Sequence, residues 1–286
     1  PFVLCIALLF SEAQAFTIAW LSDTQNYHNA YKPIFDGMTQ WIADNREALD
    51  IRFVFHTGDV VGSWRSEDQW RQARESMDIL SSASIPFLTV CGNHDIGYRM
   101  NYANFLKYVL SLRPASMSQE YGDTGSRYEL FSANGRDYIF MGIAFSNKGP
   151  SEDEVNWING VLRQYSSRDA IIITHSYLKK SASYTTQGKA IFEKIVKANP
   201  NVFLVLCGHC RDISYKNVQL DDDGDGDPDR TVYAILSNFQ GSKAGGGGYM
   251  RILDFRDSDI YIYTYSPYYD SCEYPKGKTE ATVPLP

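Results

Sequence analysis

Phe87-Leu88-Thr89-Val90-Cys91-Gly92-Asn93-His94-Asp95 is an apolar run that stops at a glycine and three polar side chains. The same pattern recurs to either side. Thr17 to Leu21 ends in Ser22-Asp23-Thr24-Gln25, and Ile51 to Phe55 leads to Gly58-Asp59. Ala170 to Ile173 runs into Thr174-His175, and Val202 to Cys207 into Gly208-His209. Each run is short and rich in β-branched or aromatic residues, as buried strands of an α/β sheet should be. In such sheets the carboxyl ends of the strands share one rim, where ligands bind. Two aspartates, an asparagine and two histidines on that rim spell a divalent-metal site, and a site left partly open performs hydrolysis.

The bulk composition narrows the class. With 286 residues and 44% hydrophobic content the chain can bury a full core in one large domain. Its formal charge of -7 is dispersed, so no basic stripe argues for a nucleic-acid-binding surface. No apolar run approaches the length of a membrane span. Phe2 to Phe10 is continuously apolar and is followed by Ser11-Glu12-Ala13-Gln14-Ala15, with small residues where a signal peptidase needs them. Residues 1–15 therefore read as a truncated signal peptide, with a buried strand over Val3 to Leu9 as the alternative. Residues 16–286 read as a single exported domain, extracellular or periplasmic.

Export would permit disulfides, and without Cys5 the chain keeps Cys91, Cys207, Cys210 and Cys272, an even number. Cys207 and Cys210 also have the spacing of a dithiol oxidoreductase. Such a pair opens a helix in a small βαβ domain, whereas Asp212 to Leu220 looks extended here. A structural bridge, or two unpaired thiols behind the metal site, is the preferred reading.

Strand and helix patterns alternate after the leader. Helices are expected over Pro33 to Leu49, Glu67 to Leu80 behind a Ser66 cap, Asn101 to Leu110, the stretch capped by Ser151, and Gln187 to Ala198. Asn134-Gly135 marks a hairpin turn before Tyr138 to Phe145. From Ile213 the pattern is mostly β, with Thr231 to Leu236, Tyr249 to Phe255 and Ile260 to Tyr265 read as antiparallel strands. The expectation is an α/β fold with two sheets face to face and helices outside.

The residue types suit the chemistry. A strand-end Asp is a short, hard oxygen ligand, neutral imidazoles suit zinc or iron, and Asn adds a carbonyl oxygen without charge. Taken with the Gly-rich turn Gly245 to Gly248 and the stretch Thr264-Tyr265-Ser266-Pro267, the ordered blocks resemble a secreted calcineurin-like metallophosphoesterase. The resemblance covers nearly everything after residue 16. It implies a four-layer α/β/β/α sandwich of two facing mixed sheets around one or two divalent ions, and hydrolysis of a phosphoester by a metal-activated hydroxide. By position it implies that Asp59 bridges both ions, that Asn93, His175 and His209 complete the second, and that Asp23 binds the first. His94 would be the acid or phosphate-contacting residue, steadied by Asp95.

Two positions depart from the family pattern. Gln25 stands where the first block usually has His, and Arg211 where the fifth block ends in His. A guanidinium cannot ligate, having no available lone pair. The first site keeps Asp23, Asp59 and Gln25, all oxygen donors, which favours a harder ion such as magnesium, manganese or calcium, or an incompletely filled site. Arg211 could instead hold phosphoryl oxygens, or turn outward and mark decay of the centre. These departures also motivate the alternative of a degenerate member that binds a phosphorylated ligand without turnover. Phosphatase and phosphodiesterase activities both stay open.

Asp221, Asp223, Asp225 and Asp229 with Gly226 have the spacing of a calcium loop, though without the bidentate Glu and flanking helices of a full EF-hand; a solvated hairpin tip is the alternative. His56 is expected to pack behind the site, and His28 to sit in a loop near it.

Overall fold

The computed structural model describes residues 15–112, 119–275, 277 and 279–286. The leader expected over residues 1–15 falls, but for Ala15, outside them. Two mixed sheets form the centre, one of six strands and one of seven. In the first, β1 (Phe16–Leu21), β2 (Ile51–His56) and β3 (Phe87–Thr89) run parallel, and β11 (Met250–Phe255), β12 (Asp259–Tyr265) and β13 (Ala281–Pro284) extend it antiparallel beside β1. In the second, the order is β4 (Gln119–Tyr121), β5 (Ser126–Ala133), β6 (Arg136–Ile143), β7 (Asp169–Thr174), β8 (Val202–Cys207), β10 (Arg230–Asn238) and β9 (Asp212–Leu220). Strands β6, β7, β8 and β10 are parallel to one another.

Side-chain alternation builds the layers. Phe16, Ile18 and Trp20 of β1 face inward and meet Phe140, Ile171, Ile173 and Leu206 of the other sheet. Phe140 packs edge-on against Phe53 at 5.0 Å and Phe55 at 4.8 Å between ring centroids. The opposite faces are covered by helices. Ala19, Leu21 and Val54 pack with residues of α1 (Lys32–Asp44) and α2 (Glu67–Ser82). Ile139, Met141, Ile172 and Val205 pack with residues of α5 (Glu152–Gln164) and α6 (Thr186–Ile191). Two short helices, α3 (Asn93–Ile96) and α4 (Ala103–Tyr108), follow β3. This is the four-layer α/β/β/α arrangement expected from the sequence.

Local signals explain most boundaries. The Ser66, Ser151 and Thr185 hydroxyls accept the third backbone N–H of α2, α5 and α6. Asn134 and Gly135 both have positive φ, 52° and 76°, as a tight hairpin turn demands. Helix α1 stops five residues short of Leu49, because the Asn45 side chain donates to the Trp41 carbonyl and satisfies the helix end. The helix expected to reach Ala198 widens into a π turn at Phe192–Val196. One strand assignment is corrected: β10 is antiparallel to β9 but parallel to β8, so its carboxyl end also reaches the rim.

Candidate metal centre

Each polar block leaves the carboxyl end of a parallel strand. Asp23 follows β1, Asp59 follows β2, Asn93 follows β3, His175 follows β7 and His209 follows β8. The two halves meet where His175 Nδ1 lies 2.8 Å from the carbonyl oxygen of Thr57. His175 Nε2 is 3.1 Å from Asn93 Oδ1 and 3.3 Å from Asp59 Oδ2. Ligand atoms of Asp59, His175 and His209 all lie within 4.8 Å of one another. Phe145 closes one side, its ring 5.6 Å from that of His175 and 5.9 Å from that of His209.

Hydrogen-bond logic shows that these residues fit a cation. The Thr57 carbonyl can only accept, so His175 Nδ1 carries a proton and donates to it. In the neutral ring, Nε2 then turns a lone pair toward two further acceptors, Asp59 Oδ2 and Asn93 Oδ1. Three acceptors facing one point need a positive charge there, either a proton or a metal ion. Holding a metal-ligating ring through its other nitrogen is the usual device for fixing the tautomer. In the metal-free protein a proton takes the place: burial pulls the His175 pKa down, but the Asp59 carboxylate outweighs it and raises the value to about 9. His209 is pushed down to about 4, first by burial and then by the His175 charge, which outweigh the pull of Asp59.

The backbone pays for this convergence with strain. Asp23, Asp59 and His209 all have positive φ, at 52°, 54° and 69°. Non-glycine residues in that region cost about 1–3 kcal/mol each and collect at functional sites. Glycine is needed where neighbouring blocks cross. A Cβ on Gly92 would lie 2.2 Å from Asp59 Oδ1, and one on Gly208 would lie 2.2 Å from Asp23 Oδ2. The Gly-Asn-His and Gly-His spellings thus reflect carboxylates pressed against the adjacent chain.

Residues 16–210 match the family model described as calcineurin-like phosphoesterase. The chain belongs to the calcineurin-like phosphoesterase family. A curated relative, the uncharacterized protein YvnB of Bacillus subtilis, is 41% identical over 259 residues. That alignment covers 88% of this chain but only 20% of YvnB, so the chain spans about a fifth of that relative's length. Among solved structures, GAP50, the anchor in the inner membrane complex of Plasmodium, shares 15% identity at a TM-score of 0.61, covering 96% of this chain and 90% of GAP50. Purple acid phosphatase PPD1 from yellow lupin shares 12% at 0.58, covering 95% of this chain and 54% of that one. The 5'-nucleotidase of Candida albicans shares 11% at 0.52, covering 94% and 52%. At these identities the structures attest the fold of the calcineurin-like phosphoesterases.

Within this family member the other expected residues are placed unevenly. Asp23 is almost fully buried and accepts hydrogen bonds from Ser22 Oγ at 2.5 Å and from the His209 N–H at 3.1 Å. Burial raises its pKa to about 7, with His175 opposing and the Asp59 charge adding to the rise. Gln25 is buried beside Asp59, but its amide nitrogen, not its oxygen, faces the carboxylate, at 3.2 Å. His94 is exposed on α3; its backbone N–H donates to Asp59 Oδ1 and its Nδ1 lies 2.9 Å from the Gly62 carbonyl. Arg211 is exposed and its stem passes beside Gly241.

The expected contact between Asp95 and the His94 ring is corrected. Asp95 is fully buried and turns back to accept from Gly92 N at 2.7 Å and Val61 N at 3.0 Å. As the third residue of α3 it caps that helix and ties the second and third blocks together. Burial, with Asp59 adding, raises its pKa to about 8. His56 is buried with Nδ1 accepting from Gly58 N and Nε2 against Thr24 Oγ1, and burial lowers its pKa to about 3.

The calcium spacing is met in part. Carboxylate oxygens of Asp221, Asp223 and Asp225 lie within 4.8 Å of one another, all exposed, while Asp229 instead accepts from the Asp222 and Asp223 N–H groups. Cys91, Cys207 and Cys210 are free thiols, so a structural bridge between Cys207 and Cys210 is not formed. Cys207 ends β8 and Cys210 precedes β9, with no helix start to activate either.

Two site residues were missed. Gln240 Oε1 accepts from Gln25 Nε2 at 2.9 Å, and Gln240 N donates to Asn238 Oδ1 at 2.9 Å. Asn238 Nδ2 in turn donates to the His209 carbonyl at 3.0 Å. Their signal was Ser237-Asn238 at the end of an apolar run, the same spelling as the other blocks. Reading β10 as purely antiparallel hid it.

Proposed function

We propose that this chain hydrolyses phosphoesters with a divalent ion held by Asp59, Asn93, His175 and His209. The observation that carries the reading is the convergence of four strand-end side chains on one point that requires a cation. An ion bound there would supply Lewis acidity and make water nucleophilic near neutral pH. Zinc, iron or manganese suits the mixed nitrogen and oxygen donors.

The chain's own residues do the rest. Asp59 orients both His175 and the backbone of His94. His94, with Nδ1 held by the Gly62 carbonyl, leaves Nε2 free to contact a phosphoryl oxygen or to pass a proton to the departing alcohol. Asp95 acts at one remove, keeping the Asp59 and Asn93 turns in register. Arg211, exposed two residues beyond His209, would meet phosphoryl oxygens. The substrate is a phosphoester, monoester or diester. Part of the same reading is that residues 16–286 act as one exported domain, and that calcium settles on the Asp221–Asp225 loop.

Turnover of mono- and diester reporters with added manganese, zinc or iron tests it. Asp59→Ala should abolish metal-dependent turnover while circular dichroism stays native. Wild-type rates in that variant would refute the assignment. Clean binding of phosphorylated ligands by loaded protein, without turnover, would favour a non-catalytic receptor instead.

A further inference from the structure

We infer that the strand-end centre of this chain binds a single divalent ion, because a Gln25–Gln240 amide pair occupies the place of the first ion of a two-metal centre. The inference rests on the reading above, and concerns how many ions the centre holds. Both carboxylates that would serve a first ion already have donors. Asp23 takes Ser22 Oγ and the His209 N–H. Asp59 takes the His94 N–H on Oδ1 and Gln25 Nε2 on Oδ2.

The amide orientation follows from its neighbours. Asp59 Oδ2 is acceptor-only, so Gln25 must turn its NH₂ toward it; the reversed amide would set oxygen against carboxylate at the same 3.2 Å. The second N–H goes to Gln240 Oε1 at 2.9 Å. Gln240 cannot drift away, because its backbone N–H is held by Asn238, and Asn238 is held by the backbone of His209. Asn26 Nδ2 also donates to the Gln240 carbonyl, at 3.3 Å. The pair is thus wired to the first and fifth blocks together. Gln25 Oε1 remains buried without a hydrogen bond. A first ion would have to turn the amide over and break both of its donated bonds.

The remaining donors are too few to force that change. Histidine at positions 25 and 211 would supply two neutral nitrogen ligands. Here one is an amide facing the wrong way and the other an exposed guanidinium, which cannot ligate. By contrast, the site at Asp59, Asn93, His175 and His209 keeps all four donors.

The test is metal content of purified protein reconstituted with manganese, read by elemental analysis and by electron paramagnetic resonance. One equivalent, with an isolated six-line manganese signal, is expected once Asp221→Asn with Asp223→Asn has removed the 221–225 loop as a site. Two equivalents with an exchange-coupled spectrum would overturn the inference and leave the phosphoesterase reading standing. Folded protein that takes up no ion would overturn both. The variant Gln25→His with Arg211→His should gain a second equivalent. If it still binds one, the amide pair is not what excludes the ion.

Discussion

Replacing Gly92 with Ala adds one methyl group beside the principal carboxylate. Gly92 has φ -107° and ψ -178°, which alanine adopts freely, so only the new methyl acts. That Cβ would stand 2.2 Å from Asp59 Oδ1, 2.4 Å from Asp59 N and 2.8 Å from Asp59 Cγ. Ordinary contact needs 3.4 Å or more, so the two turns must part by roughly 1 Å. One of the atoms is backbone, and rotating the carboxylate alone does not relieve it. Metal–ligand distances tolerate only about 0.2 Å. Overpacking of this kind costs about 1–3 kcal/mol, or a fall in Tm of roughly 2–10 °C for a chain this long. Lost support of a ligand typically weakens metal binding ~10–100-fold, and direct displacement of Asp59 belongs at the upper end. Calorimetric titration of metal-free Gly92→Ala with zinc or manganese, beside a thermal melt, measures both. A Kd within threefold of wild type and an unchanged Tm would refute the crossing-turn explanation of the Gly-Asn-His spelling.

Gly37→Ala is the matched opposite: it lies within α1, where a Cβ would meet nothing within 4 Å. It should stabilise the chain by about 0.5–1 kcal/mol in chemical denaturation, with metal affinity unchanged. The metal-free protein should lose stability from pH 7 to 9. His175, raised from 6.5 to about 9, gives stability that is complete below pH 6.5 and lost as pH rises through 9. Asp95 and Asp23, raised from 3.8 to about 8 and about 7, act with the same sign. His56, lowered to about 3, acts oppositely, but its contribution is lost only as pH falls below 6.5. Because metal replaces the His175 proton, affinity should rise over the same interval by up to ~tenfold per pH unit, and a flat titration series would contradict this. Calcium should raise the Tm of wild type and not of Asp221→Asn with Asp223→Asn; equal melts would remove calcium from the 221–225 loop.

Much of the fold was legible because strands buried on both faces are written as short, continuous β-branched and aromatic runs, and their ends as glycine followed by a polar residue. Asp23, Asp59, Asn93, His175 and His209 could be picked from that grammar as rim residues, since a strand-end side chain on a common rim has few directions to point; which of them would share an ion came from the family resemblance. Sequence also exposed Gln25 and Arg211 as departures, by chemistry that needs no coordinates. It could not say that β10 lies parallel to β8, because pairing partners distant in the chain are chosen by packing. Nor could it turn an amide: whether Gln25 offers oxygen or nitrogen depends on Asp59 and Gln240, the latter 215 residues away. Asp95 was misassigned for the same reason, its carboxylate going to the nearest unpaired N–H groups of Gly92 and Val61. Residue type and strand order set which side chains reach the rim. Long-range hydrogen bonding, a property of the assembled turns, decided which of their atoms face the centre.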